Sequence, residues 1–96
     1  MNDYHIYITC NSSKTTFYIG VTNNLNKRLS QHYEDSIKAK SSFAGKYNCY
    51  HLVYFEVFHS IEEAIAREKQ LKKWSRTKKE NLIRLKNPDL EFLKLI

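Results

Sequence analysis

The first residues alternate. In Tyr4-His5-Ile6-Tyr7-Ile8-Thr9-Cys10, Tyr4, Ile6, Ile8 and Cys10 share one face and His5, Tyr7 and Thr9 the other. This is the two-residue period of a strand, carried by good β-formers. Asn11-Ser12-Ser13-Lys14-Thr15 has turn chemistry. Thr16-Phe17-Tyr18-Ile19-Gly20 reads as the returning strand. Together they predict an antiparallel hairpin with a tyrosine on the more polar face of each strand. The period then lengthens. Asn23 or Asn24 can cap a helix running to about Ser36. At about 100° per residue its inward stripe is Leu25, Leu29 and Tyr33. Arg28 and His32 are four apart and fall on or beside that stripe, not opposite it. Ile37–Asn48 is mixed and polar and reads as a loop. Tyr50–Phe58 is apolar on both faces, which predicts a central or covered strand.

Ser60-Ile61-Glu62-Glu63 has the form of a capping box and opens a helix to about Lys73. Ser75 or Thr77 can cap a last helix, anchored by Leu82, Ile83 and Leu85 and stopped by Pro88. The order is β-β-α-β-α-α. It predicts an α+β fold, a small three-stranded antiparallel sheet flanked by helices, as a single domain over residues 1–96.

Composition narrows the class. Ninety-six residues suit one domain, and 42% hydrophobic with 27% charged is ordinary for a folded one. Two cysteines, Cys10 and Cys49, are too few for a disulfide scaffold. With His5 and His51 they match no common zinc spacing. No apolar run is long enough to span a membrane, and the N-terminus lacks a secretory signal's pattern. The expectation is a cytoplasmic protein with no membrane partner. The net charge of +6 is uneven: Arg67–Lys86 holds nine Lys/Arg and two Glu, a net of +7, so the other residues sum to −1. A near-neutral body with one cationic stretch predicts a polyanionic partner, nucleic acid first.

The candidate chemistry begins at Glu68. On a helical wheel from Ile61 it falls between Ala64 and Ile65, inside the apolar stripe. A buried carboxylate needs a cation or a raised pKa. A Glu68–Lys72 pair at i,i+4 would supply the cation, and a metal ion is the functional alternative. Tyr7 and Tyr18 lie on matching faces of the hairpin. Gly20, one of only two glycines, follows Tyr18 closely, where an open backbone leaves room beside the strand. Arg28 offers fixed charge for a phosphate, and Tyr or His can move protons.

This set resembles the GIY-YIG nuclease family. The name motifs stand here as His5-Ile6-Tyr7 and Tyr18-Ile19-Gly20. The run Tyr18–His32 is similar to the family's second strand and first helix, and Glu63–Trp74 to its metal-binding helix. The resemblance covers about residues 4–90 and is nearest to small stand-alone bacterial members related to the excinuclease C nuclease domain. It implies a metal-dependent endonuclease that hydrolyses DNA phosphodiester bonds. Tyr7 and Tyr18 would line the scissile phosphate, one of them activating water. Arg28 would stabilise the charge building there, and His32 would bond a tyrosine or relay its proton. Glu68 would hold Mg²⁺ or Mn²⁺. His5 replaces the glycine of the first motif. Val21 stands where excinuclease-type members carry a lysine, for which Lys46 is a candidate substitute. Asn81, then Asn87, are candidates for a late asparagine near the site.

Arg67, Lys69, Lys72, Lys73, Arg76, Lys78 and Lys79 are the expected DNA contacts, and Trp74 is expected to pack beneath the last helix. A domain this small has no obvious targeting module. That leaves weak activity alone, a homodimer, or a targeting partner protein. The alternative function is a non-catalytic nucleic-acid-binding module of the same fold.

Overall fold

A computed structural model describes residues 3–37 and 48–94. Its elements are β1 (Tyr4–Cys10), β2 (Phe17–Thr22), α1 (Leu25–Ile37), β3 (His51–Phe58), α2 (Ile61–Lys72) and α3 (Arg76–Lys86). The order is the one the periodicities predict. The loop expected between α1 and β3, with Lys46, falls on residues 38–47 and lies outside the described residues.

The turn after β1 is fixed by Asn11, whose Oδ1 accepts from the Thr15 and Thr16 amides at 2.8 and 3.1 Å. The antiparallel pairing sets Tyr7 opposite Gly20 and Ile8 opposite Ile19. β3 pairs on the other side of β1, giving the order β2-β1-β3. β3 is therefore an edge strand, and β1 the central one. β3 is covered on both faces, the other reading of its apolar pattern: Leu52 and Phe55 meet the smaller core, Val53 and Tyr54 the larger. The pairing with β1 slips between Ile8 and Thr9, which face Tyr54 and Leu52. Val53 is the extra residue of a bulge, so Val53 and Tyr54 both enter the same core.

Each face of the sheet is covered. Ile6, Ile8, Cys10, Ile19, Val53 and Tyr54 pack with Ala64 and Leu71 of α2 and Ile83 of α3 in the larger core. Trp74 packs against this core, as expected. On the opposite face Tyr7, Leu25 and Leu52 form a smaller one, with Tyr18, Leu29 and Phe55 around it. Asn24 caps α1, its Oδ1 accepting from the Lys27 amide at 3.1 Å. Ser60 caps α2 and Ser75, not Thr77, caps α3. Tyr33 does not complete the inward stripe of α1. It is 50% exposed and meets Tyr50 edge-on at 5.1 Å, while His32 is 4% exposed and takes the buried place.

The segment after α3 closes the edge of β3. Asn87 is buried, and its side-chain amide donates to the carbonyls of Val53 and Glu91 at 3.0 and 2.8 Å. Leu90 enters the larger core, and Leu93 packs against the smaller one. The Leu93 amide donates to the Leu52 carbonyl at 2.7 Å. The chain thus passes around the β3 edge, which would otherwise present unpaired backbone groups. Cys10 and Cys49 are free and buried, and burial pushes each thiol up to about 11. Among the described residues no helix is long and apolar enough to cross a membrane.

Candidate active site

Tyr7 is at the centre of the smaller core and has no exposed surface. Its ring lies across the backbone of the facing strand at Gly20. A Cβ on Gly20 would stand 2.6 Å from Tyr7 Cζ and closer still to the hydroxyl. Only glycine lets this ring lie there, which accounts for that residue at that position. The phenol then points to α1. Its hydroxyl lies 2.9 Å from His32 Nε2, and Arg28 Nε donates to it at 3.4 Å. Tyr18 completes the group. Its ring centroid is 5.1 Å from that of His32, in an edge contact, and 6.1 Å from that of Tyr7.

The electrostatics follow from burial. Desolvation pushes the Tyr7 phenol well above the usual tyrosine range, and the Arg28 guanidinium only partly offsets it. The hydrogen bond to Tyr7 holds Arg28 more firmly charged, against its own partial burial. Arg28 also donates to Gln31 Oε1 at 3.1 Å. It has no carboxylate partner among the described residues. Its charge is therefore held in place and not neutralised. Gln31 was not expected at the site. Its spacing of three from Arg28, which makes the two neighbours on a helix, is the signal that points to it.

Five of the six motif residues, Tyr7, Tyr18, Gly20, Arg28 and His32, meet on this face. Glu68 belongs to α2, on the other layer. Its stripe is Ala64, Glu68 and Leu71, while Ile65 turns outward at 37% exposure. The Glu68 side chain is 20% exposed, and Oε2 is 3.4 Å from Lys72 Nζ. Lys72 in turn lines a groove of about 280 Å³ along the outer side of β2 with Phe17, Tyr18, Ile19 and Lys79. This groove joins the acid's helix to the second tyrosine.

Glu68 can be tested against the metal the resemblance implies. Among the described residues no three His, Cys, Asp or Glu side chains gather as a metal cluster. That donor set does not suit zinc, which takes several protein ligands. It does suit a hard divalent ion such as Mg²⁺ or Mn²⁺, which accepts one carboxylate and keeps waters and substrate oxygens for the rest.

The cationic stretch divides. Arg67 is engaged within the fold. Its Nε and a terminal nitrogen bind the two oxygens of Glu56 at 2.9 and 3.0 Å. Tyr54 donates its hydroxyl to the same carboxylate. Burial raises the Glu56 carboxyl, and the bonds from Arg67 and Tyr54 more than offset it, leaving it below its usual value. Arg76 is likewise engaged. It donates to the carbonyls of Lys14 and Thr15 in the hairpin turn and to Glu80 at 3.3 Å. Lys78 lies 4.3 Å over the Trp74 ring. Lys69 and Lys73 are exposed, and Lys79 lines the groove. Asn81 is exposed on α3, and the asparagine that is buried, Asn87, holds the C-terminal segment.

Known proteins resemble this chain over most of its length. The family model described as the GIY-YIG catalytic domain matches residues 3–81. A UPF0213 protein of Syntrophus aciditrophicus is 36% identical over 89 residues, covering 93% of this chain and 98% of that one. One from Haloquadratum walsbyi is 29% identical over 82 residues, covering 85% and 89%. The solution structure of a UPF0213 protein from Bacillus halodurans superposes with a TM-score of 0.57 at 28% identity, over 91% of this chain and 88% of that one. With a match that takes in both tyrosines, Arg28, His32 and Glu68, the protein belongs to the GIY-YIG catalytic-domain family.

Proposed function

We propose that the protein is a divalent-metal-dependent endonuclease that hydrolyses DNA phosphodiester bonds. The observation that carries the reading is Arg28: a guanidinium fixed by Tyr7 and Gln31, with no acid beside it among the described residues. Such a group is set to receive a phosphate, and to stabilise the negative charge that grows on it during attack by water.

The two tyrosines have unequal parts. Tyr7 is sealed from solvent and bonded inward, and burial extends the range over which its phenol is neutral further into alkali. It holds Arg28 and His32 in register and keeps a proton between its oxygen and His32 Nε2. Tyr18 is partly exposed and borders the groove, so it is the tyrosine that meets solvent and substrate. Glu68 would hold Mg²⁺ or Mn²⁺, which when bound supplies Lewis-acid polarisation of a phosphate oxygen. Lys69, Lys73 and Lys79 add attraction for the DNA backbone without reading sequence.

The test is nicking of supercoiled or branched DNA with Mg²⁺ or Mn²⁺ by the parent protein, Arg28→Ala and Glu68→Ala. Both variants should lose metal-dependent nicking. Equal residual activity in all three would overturn the proposal. Salt-sensitive DNA binding without nicking by the parent would favour a binding module instead.

A further inference from the structure

Lys72 has two neighbours of different kinds. Its ammonium is 3.4 Å from Glu68 Oε2, one turn away on the same helix. The same side chain lines the groove beside β2 with Tyr18 and Lys79. The Lys72 side chain is 52% exposed and the Glu68 side chain 20%. The lysine is thus the more exposed member of the pair, a strongly hydrated charge on a flexible stem, and the carboxylate the more buried one. A divalent cation arriving at that carboxylate would repel the ammonium. Arg67, the cation just before Glu68 in the chain, cannot take its place, because Glu56 holds it by two hydrogen bonds.

We propose that Lys72 is an exchangeable counter-ion: it neutralises Glu68 before a metal binds, then turns into the β2 groove and pairs with a DNA phosphate. The inference rests on the metal-dependent reading above and deepens it. Metal loading then does two things at one place. It fills the carboxylate site, and it frees a cation for the substrate strand that runs past Tyr18. Lys72 is a positioning residue in this scheme.

The experiment compares the parent, Lys72→Gln, Lys72→Arg and Glu68→Gln. Free Mn²⁺ is followed by electron paramagnetic resonance up to millimolar concentration. Duplex DNA binding is titrated between 50 and 200 mM salt, with Mn²⁺ and with chelator. Lys72→Gln should bind Mn²⁺ about two- to five-fold more tightly than the parent, the range set by an exposed ion pair. Lys72→Arg should match the parent, and Glu68→Gln should bind weakly. With Mn²⁺ the parent's salt slope should exceed that of Lys72→Gln by about one, and with chelator the two slopes should coincide. If Mn²⁺ depends on Glu68 but binds the parent and Lys72→Gln equally, the exchange is wrong and the metal site stands. If neither the parent nor Lys72→Gln binds Mn²⁺, both readings fall. Slopes that coincide in both conditions overturn the phosphate contact.

Discussion

The sheet buries one tyrosine against α1 and another against α2 and α3, each with an arginine at its hydroxyl side. Tyr7 and Arg28 meet on the α1 face, while Tyr54 and Arg67 meet Glu56 on the other. Burial pushes both phenols above the usual tyrosine range. The difference is the acid. Glu56 takes two hydrogen bonds from Arg67 and one from Tyr54, so this arginine has its counter-charge within the protein. Beside Tyr7 stand a histidine and an amide, and the arginine keeps its charge. One cluster holds a helix to a strand. The other has no acid at its arginine among the described residues, and there the proposed reading seats a phosphate. The same residue types therefore serve structure or chemistry according to whether the protein supplies the counter-charge itself.

Exchanging the arginines is the strongest way to break this contrast. Arg28→Ala should lower nicking by about 10²–10³-fold, the scale of losing a group that stabilises transition-state charge, with little change in urea midpoint. Arg67→Ala should do the reverse. It leaves Glu56 partly buried without its cation and should cost about 1–3 kcal/mol in urea unfolding, with nicking kept within a few-fold. Loss of nicking in Arg67→Ala at unchanged stability would erase the distinction.

Gly20→Ala comes next. The added methyl must displace the Tyr7 ring, at about 1–3 kcal/mol for overpacking, and it should depress nicking as well. A fully stable, active variant would show that the ring has another place to go.

Alkaline titration sharpens the likeness between the two tyrosines. A raised folded pKa means that the folded protein keeps a proton the unfolded chain has released. Stability is then full below about pH 10 and falls as pH rises beyond it. Tyr7→Phe and Tyr54→Phe should each flatten that decline in unfolding free energy measured from pH 9 to 12. A decline unchanged in both would remove the phenols as its cause. The smallest effect is at the surface. Lys73→Gln should weaken DNA binding a few-fold and lower its salt slope by about one, whereas Arg67→Gln should leave the slope alone.

Much of this was open to inspection in the sequence. Alternation and the caps at Asn24, Ser60 and Ser75 specify the elements because local periodicity and capping are local physics. Tyr7, Gly20, Arg28 and His32 stood out because two strands and one helix carry them at regular spacing. What stayed hidden depends on partners distant in the chain. A helical wheel puts both Tyr33 and His32 near the inward stripe, and hydrophobicity favours the tyrosine. The phenol of Tyr7 reverses that choice by giving His32 a buried hydrogen bond. Counting charges ranks Arg67 with the other cations, since nothing local says that Glu56 will take it. Strand order was equally hidden, because the bulge at Val53 and the segment after Asn87 make an edge strand look interior.

The pairing of Tyr7 with Gly20 ties the site to the folding of the hairpin. A slip of one residue would set Ile19 or Val21 opposite the tyrosine, and a branched side chain would fill the space its ring needs. Misaligned hairpins therefore cannot bury Tyr7, and the smaller core cannot close around them. The feature that seats Tyr7 also proofreads the strand register, so a molecule that has folded this face has brought Tyr7, Arg28 and His32 together in the same event.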